Sequence, residues 1–108
     1  MKSPRKPTTS DLCADKLRVL ADVTRLAVME ALLDGPKTVT EINARLKIDQ
    51  SLLSHHLKVL REAELVTNRR EGKAVRYAVA PDAAATVAGK GLNLGCCEIN
   101  FVQFRPRK

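Results

Sequence analysis

The stretch from Thr38 to Val79 constrains the fold most, because its hydrophobic period changes there once, from helical to extended. Thr38-Val39-Thr40-Glu41 has the spacing of a capping box, in which a hydroxyl and a later carboxylate satisfy orphan N–H groups at a helix start; Thr40 is the alternative cap. The short helix that follows holds Ile42 and Leu46, and the turn Lys47-Ile48-Asp49 leads to a longer helix from about Gln50 to Ala63. Leu53, Leu57 and Leu60 form one apolar stripe on it, with Ser51, Ser54, His55, Lys58 and Arg61 largely off that stripe. Two β-prone runs, Leu65–Arg70 and Ala74–Val79, then flank the loop Glu71-Gly72-Lys73 and read as a hairpin. Two short helices joined by a few residues, the second amphipathic with a polar start, are a helix-turn-helix.

The flanking segments complete the element order. Residues 1–9 carry Pro4, Pro7, Ser, Thr and charges with nothing to bury, and read as a flexible basic arm. Ser10 or Asp11 caps a first helix with Cys13, Leu17 and Leu20 on one stripe, and Asp22 caps a second that Gly35-Pro36 ends. Pro81-Asp82 starts a fifth helix over Ala83–Gly89, limited by Gly89, Gly91 and Gly95. Residues 98–104 alternate in part, as a short strand or a strap against the core would. The expected fold is α+β, mainly α: a winged helix-turn-helix of order α-α-α-α-β-β-α, dimeric. It divides into the arm 1–9, a DNA-binding and dimerisation domain 10–92 and a cysteine-bearing tail 93–108.

Aromatic residues are only 3 % of the 108, so the core must be aliphatic, and so short a chain gains stability from a partner subunit. The basic N-terminus runs into prolines and polar residues, and no apolar run approaches the ~20 residues of a membrane span. These features predict a cytoplasmic protein with no membrane partner, whose thiols are normally reduced. Net charge is +7, but Lys2, Arg5, Lys6, Arg105, Arg107 and Lys108 sit at the two ends. The informative excess is internal: Lys58, Arg61, Arg69, Arg70, Lys73 and Arg76 against Glu62, Glu64 and Glu71.

A slim amphipathic helix followed by a basic hairpin suits double-stranded DNA, whose major groove admits a helix and exposes distinguishable base edges. Gln50, Ser51, Ser54 and His55 occupy the leading end of that helix, with Lys58 a turn further on, where base and phosphate contacts concentrate. Arg69, Arg70 and Lys73 are placed to meet phosphates or the flanking minor groove. A charge run is also what a solvated face looks like, and Ser51 also serves as a cap. His55 and His56 point about 100° apart and cannot easily clamp one ion, so His55 reads as DNA-facing and His56 as a flank or core filler. No nucleophile–base pair, phosphate loop or paired carboxylates appear, so neither an enzyme nor a catalytic cofactor is expected.

The segments Leu17–Leu26, Ser51–Arg61, Leu65-Val66 and Arg70–Tyr77 resemble the ArsR/SmtB family of bacterial metal- and thiol-sensing repressors over roughly residues 12–80. Ser51-Leu52-Leu53-Ser54-His55-His56-Leu57 is the most specific part; Val23 stands where the family often has Pro. The resemblance implies a homodimer, joined through the first and fifth helices, that binds an inverted-repeat operator and releases it when an inducer binds. The third helix lacks the Cys-x-Cys of an arsenic-sensing branch. The fifth has no His for the zinc site of other members, and the fourth has no Cys, as cadmium and lead sensors require. The arrangement of the paired-cysteine persulfide sensors is also missing.

What remains is Cys13, Cys96 and Cys97. Thiolates select soft ions, and three without His or carboxylate suit As(III) or Sb(III) as the inducer. Gly95 permits the irregular backbone that adjacent ligands need. If the first and fifth helices meet across the dimer, Cys13 of one subunit completes the site of the other. Cys13 on its apolar stripe also suits plain packing. The alternative function is a redox or reactive-sulfur sensor. A Cys96–Cys97 bridge is disfavoured, because adjacent Cα atoms lie about 3.8 Å apart and disulfides want about 4.4 Å or more. Cys13 with either remains open.

Overall fold

The computed structural model describes residues 6, 8–84 and 91–102. Helix α1 (Thr9–Leu20) has its cap two residues before Ser10 and three before Asp11, the caps expected. Thr8 is the N-cap, its hydroxyl accepting from the Asp11 backbone N–H at 3.1 Å while the Asp11 carboxylate accepts from the Thr8 backbone N–H at 2.9 Å. The reason is a reciprocal capping box, in which Asp11 replaces the more usual Glu or Gln. The arm expected over residues 1–9 therefore gives up Thr8 and Thr9 to the helix. Asp22 caps α2 (Val23–Leu33) as expected, and Gly35 follows its end at φ 132°.

The Thr38 capping box forms and opens α3 (Val39–Leu46), with the Glu41 carboxylate accepting from the Thr38 N–H at 2.8 Å. Helix α4 spans Gln50–Glu62, capped by Asp49. Strands β2 (Val66–Glu71) and β3 (Ala74–Val79) form the hairpin, turning at Gly72 with φ 60°, a value that favours glycine. A two-residue strand that the sequence did not announce, β1 (Lys37–Thr38), pairs with β3, giving sheet order β1-β3-β2. This is a winged helix-turn-helix, mainly helical, as expected.

Apolar residues from every layer meet in one core: Val28, Met29 and Leu32 of α2, Ile42 of α3, and Leu53, Leu57 and Leu60 of α4. Each fully buried side chain contributes roughly 1.5–3 kcal/mol of transfer free energy. The α1 stripe behaves differently, because only Leu20 is buried; Leu12 and Leu17 are 57 % and 42 % exposed.

Helix α5 is described as Pro81–Ala84, and the rest of the helix expected to Gly89 lies outside the described residues. Gly91 is the first residue of β4 (Gly91–Asn93), which pairs antiparallel with β5 (Glu98–Asn100). The boundary drawn at residue 92 thus falls inside a hairpin. Leu92 and Leu94 are buried in the main core, with Ile99 and Phe101 packed against it, so this hairpin is a strap on the core.

Candidate functional site

The geometry of the helix-turn-helix is fixed at its turn. Lys47 adopts a left-handed conformation (φ 55°, ψ 51°) that ends α3. The Asn43 amide then grips the next residue twice: Nδ2 donates to the Ile48 carbonyl and Oδ1 accepts from the Ile48 N–H, both at 2.9 Å. Asn43 was not singled out in the sequence, where nothing distinguishes it from a solvated helix residue.

Beyond the turn, Leu53, Leu57 and Leu60 anchor α4 in the core, at most 1 % exposed. The opposite face presents Gln50, Ser51, Ser54, His55 and Lys58, all exposed. His56 points inward and is 7 % exposed. Its Nδ1 accepts from the Arg25 Nε–H at 3.0 Å, and its ring lies 5.7 Å from that of His55.

The hairpin separates the basic residues that the sequence grouped. Arg69 and Arg70 point to opposite faces because side chains alternate along a strand. Arg69 pairs with Glu71 at 3.3 Å, and Glu71 also accepts from Arg76 Nε at 2.9 Å. The bond from Arg76, then that from Arg69, holds the Glu71 carboxyl below its ordinary range and keeps it charged. Arg76 also donates to the Pro36 carbonyl and pairs with Glu41 at 3.4 Å, so it ties the wing to the start of α3. Arg70 and Lys73 are exposed.

At the opposite end of the chain, the tip of the β4–β5 hairpin carries Cys96 and Cys97. The tip closes with a bond from the Leu94 N–H to the Cys97 carbonyl at 2.9 Å, and Gly95 adopts φ 90° there. This tip packs beside α1 of the same chain. Cys13 and Cys96 form a disulfide with Cα atoms 6.0 Å apart. The Cys97 sulfur lies 3.2 Å from that of Cys13 and 3.8 Å from that of Cys96. All three Sγ atoms lie within 4.8 Å of one another, and all three residues are partly buried. Assembly across two subunits, which the sequence left open, is therefore not needed for the three thiols to meet. Sequence spacing could not foresee this, since 83 residues separate Cys13 from Cys96 and only the hairpin returns the chain to α1. A groove of about 780 Å³ runs beside the cluster, lined in part by Leu12, Val19, Val59 and Ala63.

A groove-sized helix with an exposed polar face, braced by a hairpin, defines the winged-helix class of regulatory DNA-binding domains. The profile described as bacterial regulatory protein, arsR family, matches residues 22–68. The biofilm growth-associated repressor of Agrobacterium fabrum is 45 % identical over 69 residues, covering 64 % of this chain and 59 % of that protein. The homodimeric winged helix-turn-helix DNA-binding domain of a possible ArsR-family regulator from Mycobacterium bovis superposes with TM-score 0.64 at 30 % identity, covering 73 % of each chain. A possible transcriptional regulator for arsenical resistance superposes with TM-score 0.60 at 39 % identity, covering 62 % of this chain and 70 % of that one. The chain belongs to the ArsR family.

Proposed function

We propose that this protein is a metal-responsive transcriptional repressor that binds an inverted-repeat operator as a homodimer and is released by As(III) or Sb(III). The carrying observation is the cluster of three sulfurs with no His or carboxylate in the group. Reduced, it offers three soft anionic ligands, the donor set that thiophilic ions prefer. The site is complete within one subunit, on α1 and the strap that packs against it. The regulator similar to this chain whose name refers to arsenical resistance supports the same ion class.

DNA is read by α4 through Gln50, Ser51, Ser54 and His55, with Lys58, Arg69, Arg70 and Lys73 on phosphates. The exposed Leu12 and Leu17 of α1 fit a subunit interface, in keeping with the homodimeric relative. An operator-binding protein works in the cytoplasm, and no helix among the described residues is long and apolar enough to cross a membrane. Binding of the ion shifts α1 against the strap, and a preference of a few kcal/mol for the non-binding arrangement is enough to release DNA.

The second reading, a redox or reactive-sulfur sensor, is favoured by the Cys13–Cys96 disulfide itself. One titration separates the two. Fully reduced protein on a fluorescent operator fragment should release DNA with about one equivalent of As(III) or Sb(III) per subunit, and Cys96→Ser and Cys97→Ser should stay bound. Release by peroxide or polysulfide, with no response to any ion, would establish the redox reading instead.

A further inference from the structure

Between the cysteine cluster and the reading face lies a side chain that neither role uses. Arg25, on the first turn of α2, is half-buried and divides its guanidinium between two elements. Its Nη1 donates to the Val19 carbonyl in the last turn of α1 at 3.1 Å, and its Nε donates to His56 Nδ1 on α4 at 3.0 Å. Its own backbone N–H is held by the Asp22 cap at 3.0 Å, which fixes the base of the side chain. Val19 lies about 9 Å along the helix axis from Cys13. His56 stacks at a tilt of 58° against His55, on the exposed face of α4.

We propose that Arg25 is the positioning residue that couples the thiol cluster to the DNA-reading helix; this rests on the sensing reading above. Helix α1 is largely open to solvent, with Leu12 and Leu17 exposed, and the core gives it only one fully buried anchor, Leu20. A force applied at Cys13 therefore displaces α1 largely as a rigid rod. The Val19 carbonyl moves with the rod, and the planar guanidinium cannot follow it without withdrawing Nε from His56. His56 then loses its partner in a buried setting, where an unmade hydrogen bond is costly, and α4 re-settles with His55 displaced. The coupling runs in both directions by thermodynamic necessity, so operator DNA weakens ion binding by the same factor.

The test measures three quantities on the full-length reduced protein, using arsenite as the probe. These are operator affinity without the ion by fluorescence anisotropy, arsenite affinity by ultraviolet thiolate absorbance, and the ratio of operator affinities without and with arsenite. Arg25→Lys keeps the charge but replaces the rigid, planar pair of donor nitrogens that reaches the Val19 carbonyl and His56 separately with one nitrogen on a flexible stem. It should leave the two separate affinities within about threefold and bring the ratio down toward one, from the ~5- to 150-fold range typical of allosteric sites. An unchanged ratio with both affinities intact overturns the proposal. Should Arg25→Lys fold poorly by circular dichroism, the acceptor side decides. His56→Asn keeps an acceptor oxygen near the Nδ1 position and should keep the ratio, whereas His56→Leu should lose it; a folded His56→Leu protein with the full ratio overturns the proposal equally. A ratio near one in the unsubstituted protein sinks the sensing reading itself, and the coupling role with it.

Discussion

Asp22, Glu41 and Glu71 are held charged by local bonds, the first two by backbone N–H groups at helix caps and the third by an arginine. Asp22 accepts the Arg25 backbone N–H, Glu41 accepts the Thr38 backbone N–H, and Glu71 accepts from the Arg76 side chain; each carboxyl sits below its ordinary pKa. A depressed folded-state pKa adds stability that is fully present above the unfolded value, about 3.9 for Asp and 4.3 for Glu, and is lost as pH falls through the folded value. Urea midpoints should therefore be flat from neutrality to about pH 5 and decline below about pH 4. At Asp22 the loss of the cap through Asp22→Ala should cost about 1 kcal/mol at neutral pH. Asn43→Ala removes two bonds to Ile48, and a loss of about 1–2 kcal/mol in urea unfolding, with weaker operator binding, is expected. Asn43 matters through bonds to a residue five positions on, set by the left-handed conformation of Lys47, and neither helical spacing nor residue type announces that geometry in the sequence.

At the scale of elements, the caps and stripes of α2, α3 and α4 were legible because each is local: a hydroxyl or carboxylate three residues before its partner, and leucines at helical spacing. Leu57→Ala should cost about 2–5 kcal/mol, since Leu57 is 1 % exposed within the core. The β4–β5 strap was legible only in its second half: residues 98–104 read as a strand or strap, and β5 with Ile99 and Phe101 forms it, but its partner β4 was not foreseen. Glycines at 91 and 95 read as helix limits, but Gly91 is a strand residue because the partner strand approaches it too closely for a Cβ. A methyl there would run into the Ile99 carbonyl and the Asn100 side chain. Gly91→Ala should therefore push β5 outward, destabilise the strap by about 1–3 kcal/mol and weaken arsenite binding by reduced protein. Thermal melts and the thiolate absorbance titration together check this, and an unaltered ion affinity would show that the thiols do not depend on the strap.

Over the whole molecule, the cysteines link the first helix to the last described strand pair. A disulfide across 83 residues restricts the unfolded chain strongly, so the oxidised protein should be more stable than the reduced one by about 2–4 kcal/mol. Urea midpoints with and without a phosphine reductant measure the difference. Oxidation also removes two of the three thiolates, so arsenite absorbance should vanish in the oxidised protein and return on reduction. The exposed Leu12 and Leu17 of α1 make a further expectation at this scale. Leu17→Glu should shift the protein toward monomer in sedimentation and weaken operator binding, because each half-site then loses its tethered neighbour.

The sequence by itself determined the helix-turn-helix, its hairpin and the polar face of α4, because capping, helical periodicity and strand alternation act between residues close along the chain. It also supplied three thiols and narrowed their chemistry, since residue type alone sets ligand softness. Only the tertiary structure decided that the thiols meet within one chain and that Arg25 bridges α1 to His56. Those facts depend on how elements far apart in sequence pack across a shared core, and that packing leaves no local signature in the chain.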